Sequence, residues 1–177
     1  MGGKRLAVVI EGDGADDWYN EPVYDDHYLS LEKNELLSRI KEAGIAGMGG
    51  ATFPTHVKLN PPAEKKITTL ILNGVECEPY LTSDHRLMLE EPKKILFGMQ
   101  ILQRILDASS AFIGIEKNKP DAIQVMRRTI TELGLPFQVV PLHVKYPQGA
   151  EKQLIKAITG LHVPAGGLPM DIGCVVQ

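Results

Sequence analysis

The sequence predicts an α/β fold, a mainly parallel sheet flanked by helices. Three apolar, β-branched runs carry that expectation: ITTLILNGVE (67–76), AFIGIE (111–116) and FQVVPLHV (137–144) read as strands buried on both faces. Segments of 10–16 residues at helical spacing alternate with them, which implies βαβ units. At 177 residues the chain is most simply one domain, long enough to bury a core.

Taken in order, residues 5–10 (RLAVVI) read as a short strand entering an acidic, glycine-containing turn, and 11–28 as loop. Ser30 is the expected N-cap of a first helix, with Glu32 and Glu35 in its first turn and an apolar stripe of Leu36, Leu37 and Ile40. Gly44 suits its C-terminal stop. A helix over 92–107 opens on Pro92 and buries Ile95, Met99, Leu102 and Leu106. Pro120 opens the next helix and Gly134 closes it. The last helix, 150–159, is stopped by Gly160, and a Gly- and Pro-rich tail ends on a strand-like run.

Composition narrows the function classes. A formal net charge of −3 argues against nucleic acid as the main partner. No run approaches the ~18 apolar residues of a membrane span, so contact with a membrane would come through other chains. The two cysteines, Cys77 and Cys174, are far apart, and no C-x-x-C exists to hold zinc or an iron–sulfur centre. The histidines have no ligand spacing, so no metal site is expected. Asp84, His85 and Arg86 are neighbours that seldom converge on one reacting atom, and read as capping and surface ion pairing.

In a parallel sheet, ligands bind beyond the carboxyl ends of the strands, here 73–79, 116–119 and 143–149. The stretch GIAGMGGATFPTHVKLN (44–60) has the first two glycines of a dinucleotide fingerprint, but Thr52 stands at the third and the helix-to-strand context is inverted. No Walker pattern follows. What remains is either a tight crossing or a loop exposing bare amides beside an aromatic, Phe53, and a cation, Lys58. The second cluster, NGVECEP, places Asn73, Glu76 and Glu78 at a strand's end; it suits ligand hydroxyls or a solvated acidic turn. The third, YPQGAEK, puts Tyr146 at a strand-to-helix junction and Glu151 in a first helical turn, where the helix dipole favours a carboxylate without any function.

Together, GMGGATFPTHVK, LNGVECEPYLTSDHRLMLE, YPQGAEKQLI and VPAGGLP resemble the C subunit of the Rnf electron-transport complex, from about residue 40 to the end. The pattern is more distantly similar to the flavin-carrying, NADH-oxidising subunit of respiratory complex I, and is shared by cobalamin-reductase and proline-reductase-associated proteins. The resemblance implies a Rossmann-like domain holding FMN, with NAD(H) stacked on the flavin. It implies a flavin backbone wall of Gly47, Gly49 and Gly50, with Asn73 and Glu76 at the ribityl chain or ring edge. Phe53 would face the adenine of the dinucleotide, Lys58 would lie near the cofactors, Tyr146 at the flavin, and Glu151 near the nicotinamide ribose.

No side chain need be an acid or base, so no catalytic residue is expected. The sequence departs from the complex I pattern at Met48, Val75 and Ala150, which stand for an arginine, an aspartate and a glutamate.

The resemblance further implies that 31–177 is the nucleotide-binding core of a larger subunit and 1–30 a remnant of a β-rich region. The 4Fe-4S clusters of the full-length subunit would lie outside this chain. The implied setting is cytoplasmic, peripheral on the inner face of the membrane through partner subunits, with ferredoxin-type carriers as indirect partners. Two alternatives stand beside it: a non-catalytic docking subunit, which the three departures favour, and a flavin-dependent reductase serving cobalamin or proline-reductase chemistry.

Overall fold

The computed structural model of the chain describes residues 7–15, 17, 27–48 and 52–177. Among them, four strands make one sheet: β1 (Thr69–Gly74), β2 (Ser110–Glu116), β3 (Phe137–Leu142) and β4 (Cys174–Val176). Their order is β3-β2-β1-β4 and every pair is parallel. The helices are α1 (Lys33–Glu42), the short α2 (Thr55–Lys58), α3 (Ser83–Glu90), α4 (Pro92–Leu106), α5 (Pro120–Glu132) and α6 (Glu151–Thr159). The fold is the expected α/β arrangement, a mainly parallel sheet between helices.

Side chains alternate across the strands and so build two cores. Leu70, Ile113, Ile115 and Val175 pack with Met88 of α3, Leu96 and Met99 of α4, and Met126 of α5. Ile71, Cys174 and Val176 point the other way, onto Leu154 and Ile155 of α6. α6 is therefore the helix that covers the second face. It comes close because β2 has no side chain at Gly114, where a Cβ would lie 2.9 Å from Leu154 Cδ1, 3.0 Å from Leu142 Cδ1 and 3.2 Å from Ile158 Cδ1. Gly74 is tighter still against main chain: its Cβ would stand 2.9 Å from the Gly114 carbonyl oxygen.

Strand β4 is led in by a 3₁₀ turn, Pro169–Ile172, that Asp171 holds from two sides. Its carboxylate accepts from the Leu168 amide at 2.8 Å and pairs with Lys65 Nζ at 2.9 Å. Those two partners hold the Asp171 carboxyl below the ordinary carboxylate range, the amide first and Lys65 second.

The structure corrects three expectations. Residues 7–10 form no strand, and Val8, Val9 and Ile10 are about nine-tenths exposed, at 88%, 91% and 88%. A strand exists only through its ladder, and none of the sheet's four strands takes these residues as a neighbour. Ser30 does not cap α1; its hydroxyl donates to the His27 carbonyl at 2.7 Å and closes a separate 3₁₀ turn, leaving Glu32 at the cap position. Helix α3 has no counterpart among the expected elements, because its amino end is held from outside the helix by Glu76 and not by a capping residue of its own.

Two stability outcomes follow from the glycines and the acid. Gly74→Ala should lose roughly 1–3 kcal/mol by overpacking against immovable main chain. Gly98→Ala, in α4 with no atom within 4 Å of the new Cβ, should gain about 0.5–1 kcal/mol. Urea unfolding of both variants measures the contrast. For Asp171, a depressed folded pKa contributes stability above the unfolded value near ~3.9 that is lost as pH falls through the folded one. Asp171→Asn should therefore be less stable than the parent at neutral pH, with the gap closing below about pH 4 in a pH series of thermal melts.

Candidate functional site

The sheet reverses its direction of growth between β1 and β4. From β1 the chain proceeds to β2 and β3, then returns across the sheet through α6 to lay β4 on the other side of β1. Such a switch point opens a crevice at the carboxyl ends. Here the Asn73 amide donates to the Gln177 carbonyl at 2.7 Å, joining the two strand ends. The Asn73 side chain donates through Nδ2 to the Gly149 carbonyl at 3.0 Å and accepts through Oδ1 from the Val75 amide at 3.2 Å. Asn73 thus ties the loop after β3 to the end of β1.

Lys58 ends α2 beside the same crevice. Its ammonium donates to the Val176 carbonyl at 2.8 Å and to Glu151 Oε1 at 3.3 Å. Glu151 sits in the first turn of α6, where the dipole welcomes its charge. Gln177 Nε2 donates to the buried hydroxyl oxygen of Thr55 at 2.8 Å, so α2 is locked to the end of β4 from two residues.

Ahead of α2 the glycine stretch folds back on itself. The Gly47 amide donates to the Phe53 carbonyl at 2.9 Å, the Thr55 amide to the Ile45 carbonyl at 3.0 Å, and Ala46 bridges Pro54. A Cβ at Gly47 would meet only the Phe53 carbonyl at an ordinary 3.8 Å, so space alone does not demand glycine there. Gly49 and Gly50 lie outside the described residues. Met48 and Phe53 are exposed, Met48 almost fully.

A cleft of about 430 Å³ opens on the other side of β1, above β2 and β3. Its lining includes Glu76, Tyr146, Glu116, Asn118 and Lys119. Glu76 is buried and nearly spent: Oε1 accepts from Ser83 Oγ at 3.1 Å and the Asp84 amide at 3.0 Å, and Oε2 from the His85 amide at 3.4 Å. A residue from the end of β1 therefore caps α3, satisfying amides that have no local side-chain partner. Nearby Asp84 has its carboxyl pushed above the ordinary range, first by lost hydration and then by the Glu76 charge.

Tyr146 stands exposed at the rim, its phenol pushed above the ordinary tyrosine range by a hydrogen bond to Glu78 and by that carboxylate's charge. It is a hydrogen-bond donor at neutral pH. His85 shares a hydrogen bond with Asp121 at 2.9 Å, and Arg86 pairs with Glu90, which bears out the surface ion pairing expected there for Arg86.

The predicted residues thus fall in two places. Lys58, Asn73 and Glu151 gather at the switch point, while Glu76 and Tyr146 line the cleft, and the Asn73–Gly149 bond joins the two. The sequence marks 116–119 as a strand end but singles out neither Glu116 nor Lys119, which prove to be the buried charges of the cleft floor. The available signal was a Glu ending an apolar strand, followed three residues later by Lys just ahead of a helix-opening Pro.

Comparison with known proteins places this arrangement. The model of the Nuo51 FMN-binding domain matches residues 40–177. The C subunit of the proton-translocating ferredoxin:NAD(+) oxidoreductase complex of Clostridium ljungdahlii is 54% identical over 99% of this chain and 38% of its own length. Its counterpart in the Na(+)-translocating ferredoxin:NAD(+) oxidoreductase complex of Acetobacterium woodii is 45% identical, over 99% of this chain and 40% of its own. The chain therefore spans well under half the length of these relatives. Among solved structures, an NAD+-reducing [NiFe]-hydrogenase matches with a TM-score of 0.68 at 24% identity, over 82% of this chain and 28% of that one, and shares the fold. The resemblance to Rnf-type C subunits is borne out by these relatives, and the chain belongs to the Nuo51 FMN-binding domain family.

Proposed function

We propose that the chain is the FMN- and NAD(H)-binding core of a redox subunit in an ion-translocating ferredoxin:NAD oxidoreductase complex. FMN, when bound, supplies the exchange between hydride transfer and single electrons, which would leave for iron–sulfur centres outside these 177 residues. The observation that carries the reading is a set of acceptors without donors. Among the described residues, the buried side-chain oxygens lacking a partner are Glu116 Oε1, Gln148 Oε1 and Gln177 Oε1, and all three lie at the carboxyl edge of the sheet. A ligand that brings hydroxyls and ring N–H groups fits them, as a ribityl chain and a flavin ring do.

The chain's own residues bind and orient. Gly47, Gly49 and Gly50 would form the backbone wall against the flavin, and Lys58 places a cation at the end of β4 beside Glu151. Asn73 fixes the loop that carries Tyr146, whose phenol Glu78 holds at the rim of the cleft. Phe53, exposed just ahead of α2, would present an aromatic face to the adenine of the dinucleotide, and Glu151 would meet the nicotinamide ribose. Glu76 keeps the end of β1 and the start of α3 in register, and so shapes the cleft as well as lining it.

Attachment to the inner face of a membrane would come through partner subunits, with ferredoxin-type carriers acting indirectly. No helix among the described residues is long and apolar enough to cross a bilayer. One observation favours the non-catalytic docking alternative: Lys58, Asn73 and Glu76 already spend polar groups inside the chain.

Titration of FMN with the purified chain, followed by anaerobic NADH, decides between them. Saturable quenching of flavin fluorescence and then bleaching of its visible absorbance is the expected result. Unquenched flavin, both here and with the chain extended past Gln177, assigns the docking role. Phe53→Ala should weaken NADH by roughly tenfold, the scale of a lost aromatic stacking contact, while leaving FMN affinity within about twofold. Equal losses for both ligands would remove Phe53 from the dinucleotide site.

A further inference from the structure

Glu116 ends β2 at the floor of the cleft with 1% of its surface exposed, and Lys119 beside it has 6%. The Lys119 ammonium donates to Glu116 Oε2 at 3.2 Å and to the Glu76 carbonyl at 3.2 Å, with Glu76 Oε2 at 3.9 Å. Two of its three donors are thereby taken. Glu116 Oε1 is left buried without a partner. An acceptor in that state is destabilising, more so when charged, unless a donor arrives from outside. The floor therefore offers an acceptor and more carboxylate than ammonium charge, Glu116 and Glu76 against Lys119, which suits an N–H or O–H group and disfavours phosphate.

The residues around Glu116 narrow the choice. Asn118 lines the same cleft and carries side-chain donors, while the Tyr146 hydroxyl is taken by Glu78. An unpaired acceptor with an amide donor in the same lining suits an edge reading acceptor, donor, acceptor. The pyrimidine edge of a flavin has that order, with one ring N–H between two carbonyls.

We propose that Glu116, oriented by Lys119, accepts the N3–H of the flavin ring and holds a negative charge beside it; this rests on the flavin reading above. Glu116 is then a determinant of both flavin affinity and flavin potential. A fixed negative charge next to the ring disfavours adding electrons, so it lowers the potential.

Glu116→Gln tests this with little change of shape. Lys119 only donates, so it holds the amide oxygen and turns the new NH₂ toward the cleft, donor against donor. Fluorescence titrations of the purified parent and variant with FMN and with riboflavin, and dye-equilibrated midpoint potentials, are the readouts. The variant should lose roughly tenfold to a hundredfold in affinity for both flavins alike, and its potential should move positive.

Thermal unfolding checks that the fold survives. Glu116→Leu with Lys119→Met, which removes the pair together and leaves Glu76 its bonds from Ser83 and the Asp84 and His85 amides, should show the same loss of affinity. Unchanged affinity and potential in a folded Glu116→Gln variant overturn the assignment. So does a loss confined to FMN, which would put Glu116 at the phosphate end. A parent chain that binds neither flavin, both here and when extended past Gln177, refutes the flavin reading itself, a result distinct from both.

Discussion

All four strands run parallel, and that constraint generates the site. Parallel pairing sends every strand's carboxyl end to one edge and obliges the chain to return by a crossover each time. The loops after β1, β2 and β3, and the residue after β4, are thereby gathered although they lie between residues 73 and 177 of the sequence. The reversal between β1 and β4 parts the neighbouring connections and leaves room between them. Its stitching is main-chain work: the Asn73 amide reaches the Gln177 carbonyl, and Lys58 reaches that of Val176.

Close approach on the second face is the condition for this. α6 must lie tight on β2 for its first turn to bring Glu151 to Lys58, and three methyl groups occupy the space that a side chain at Gly114 would fill. Gly149 plays the corresponding part in the loop ahead of α6, where a Cβ would stand 3.0 Å from the Val75 carbonyl oxygen. Packing on one face thus sets the position of polar groups at the edge. On the other face, Lys119 binds the end of β2 to the loop after β1 through Glu116 and Glu76. A buried ion pair of this kind is weak evidence for net stability, since desolvation offsets much of the attraction. Removing one partner alone would cost about 3–5 kcal/mol, so the arrangement is held to its register.

What could be read from the sequence is what is encoded locally. Buried strands announce themselves as β-branched runs, and Pro92, Pro120, Gly134 and Gly160 mark helix ends that the structure places within a residue or two. Glu151 fell in a first helical turn as expected. The misses depend on what the fold brings together. Helix α3 takes its cap from Glu76, seven residues ahead of Ser83, and no capping pattern predicts that. The exposed Val8, Val9 and Ile10 have the composition of a strand but no ladder to join. Glu116 and Lys119 look like ordinary charges at a loop; only the depth of the sheet's edge makes them buried.

Satisfied and unsatisfied polar groups divide the labour at this edge. Asn73, Lys58 and Glu76 have the residue types expected to touch ligand, yet each already makes bonds within the chain. Such bonds fix loops in place before any ligand arrives, which lowers the ordering cost of binding. The groups left over are acceptors on Glu116, Gln148 and Gln177, residues that attract little notice in the sequence. A buried acceptor is tolerated without a donor only where stability is given up for something else. In the proposed reading that something is recognition: the pre-tied residues hold the shape, and the orphaned oxygens select a partner rich in O–H and N–H groups.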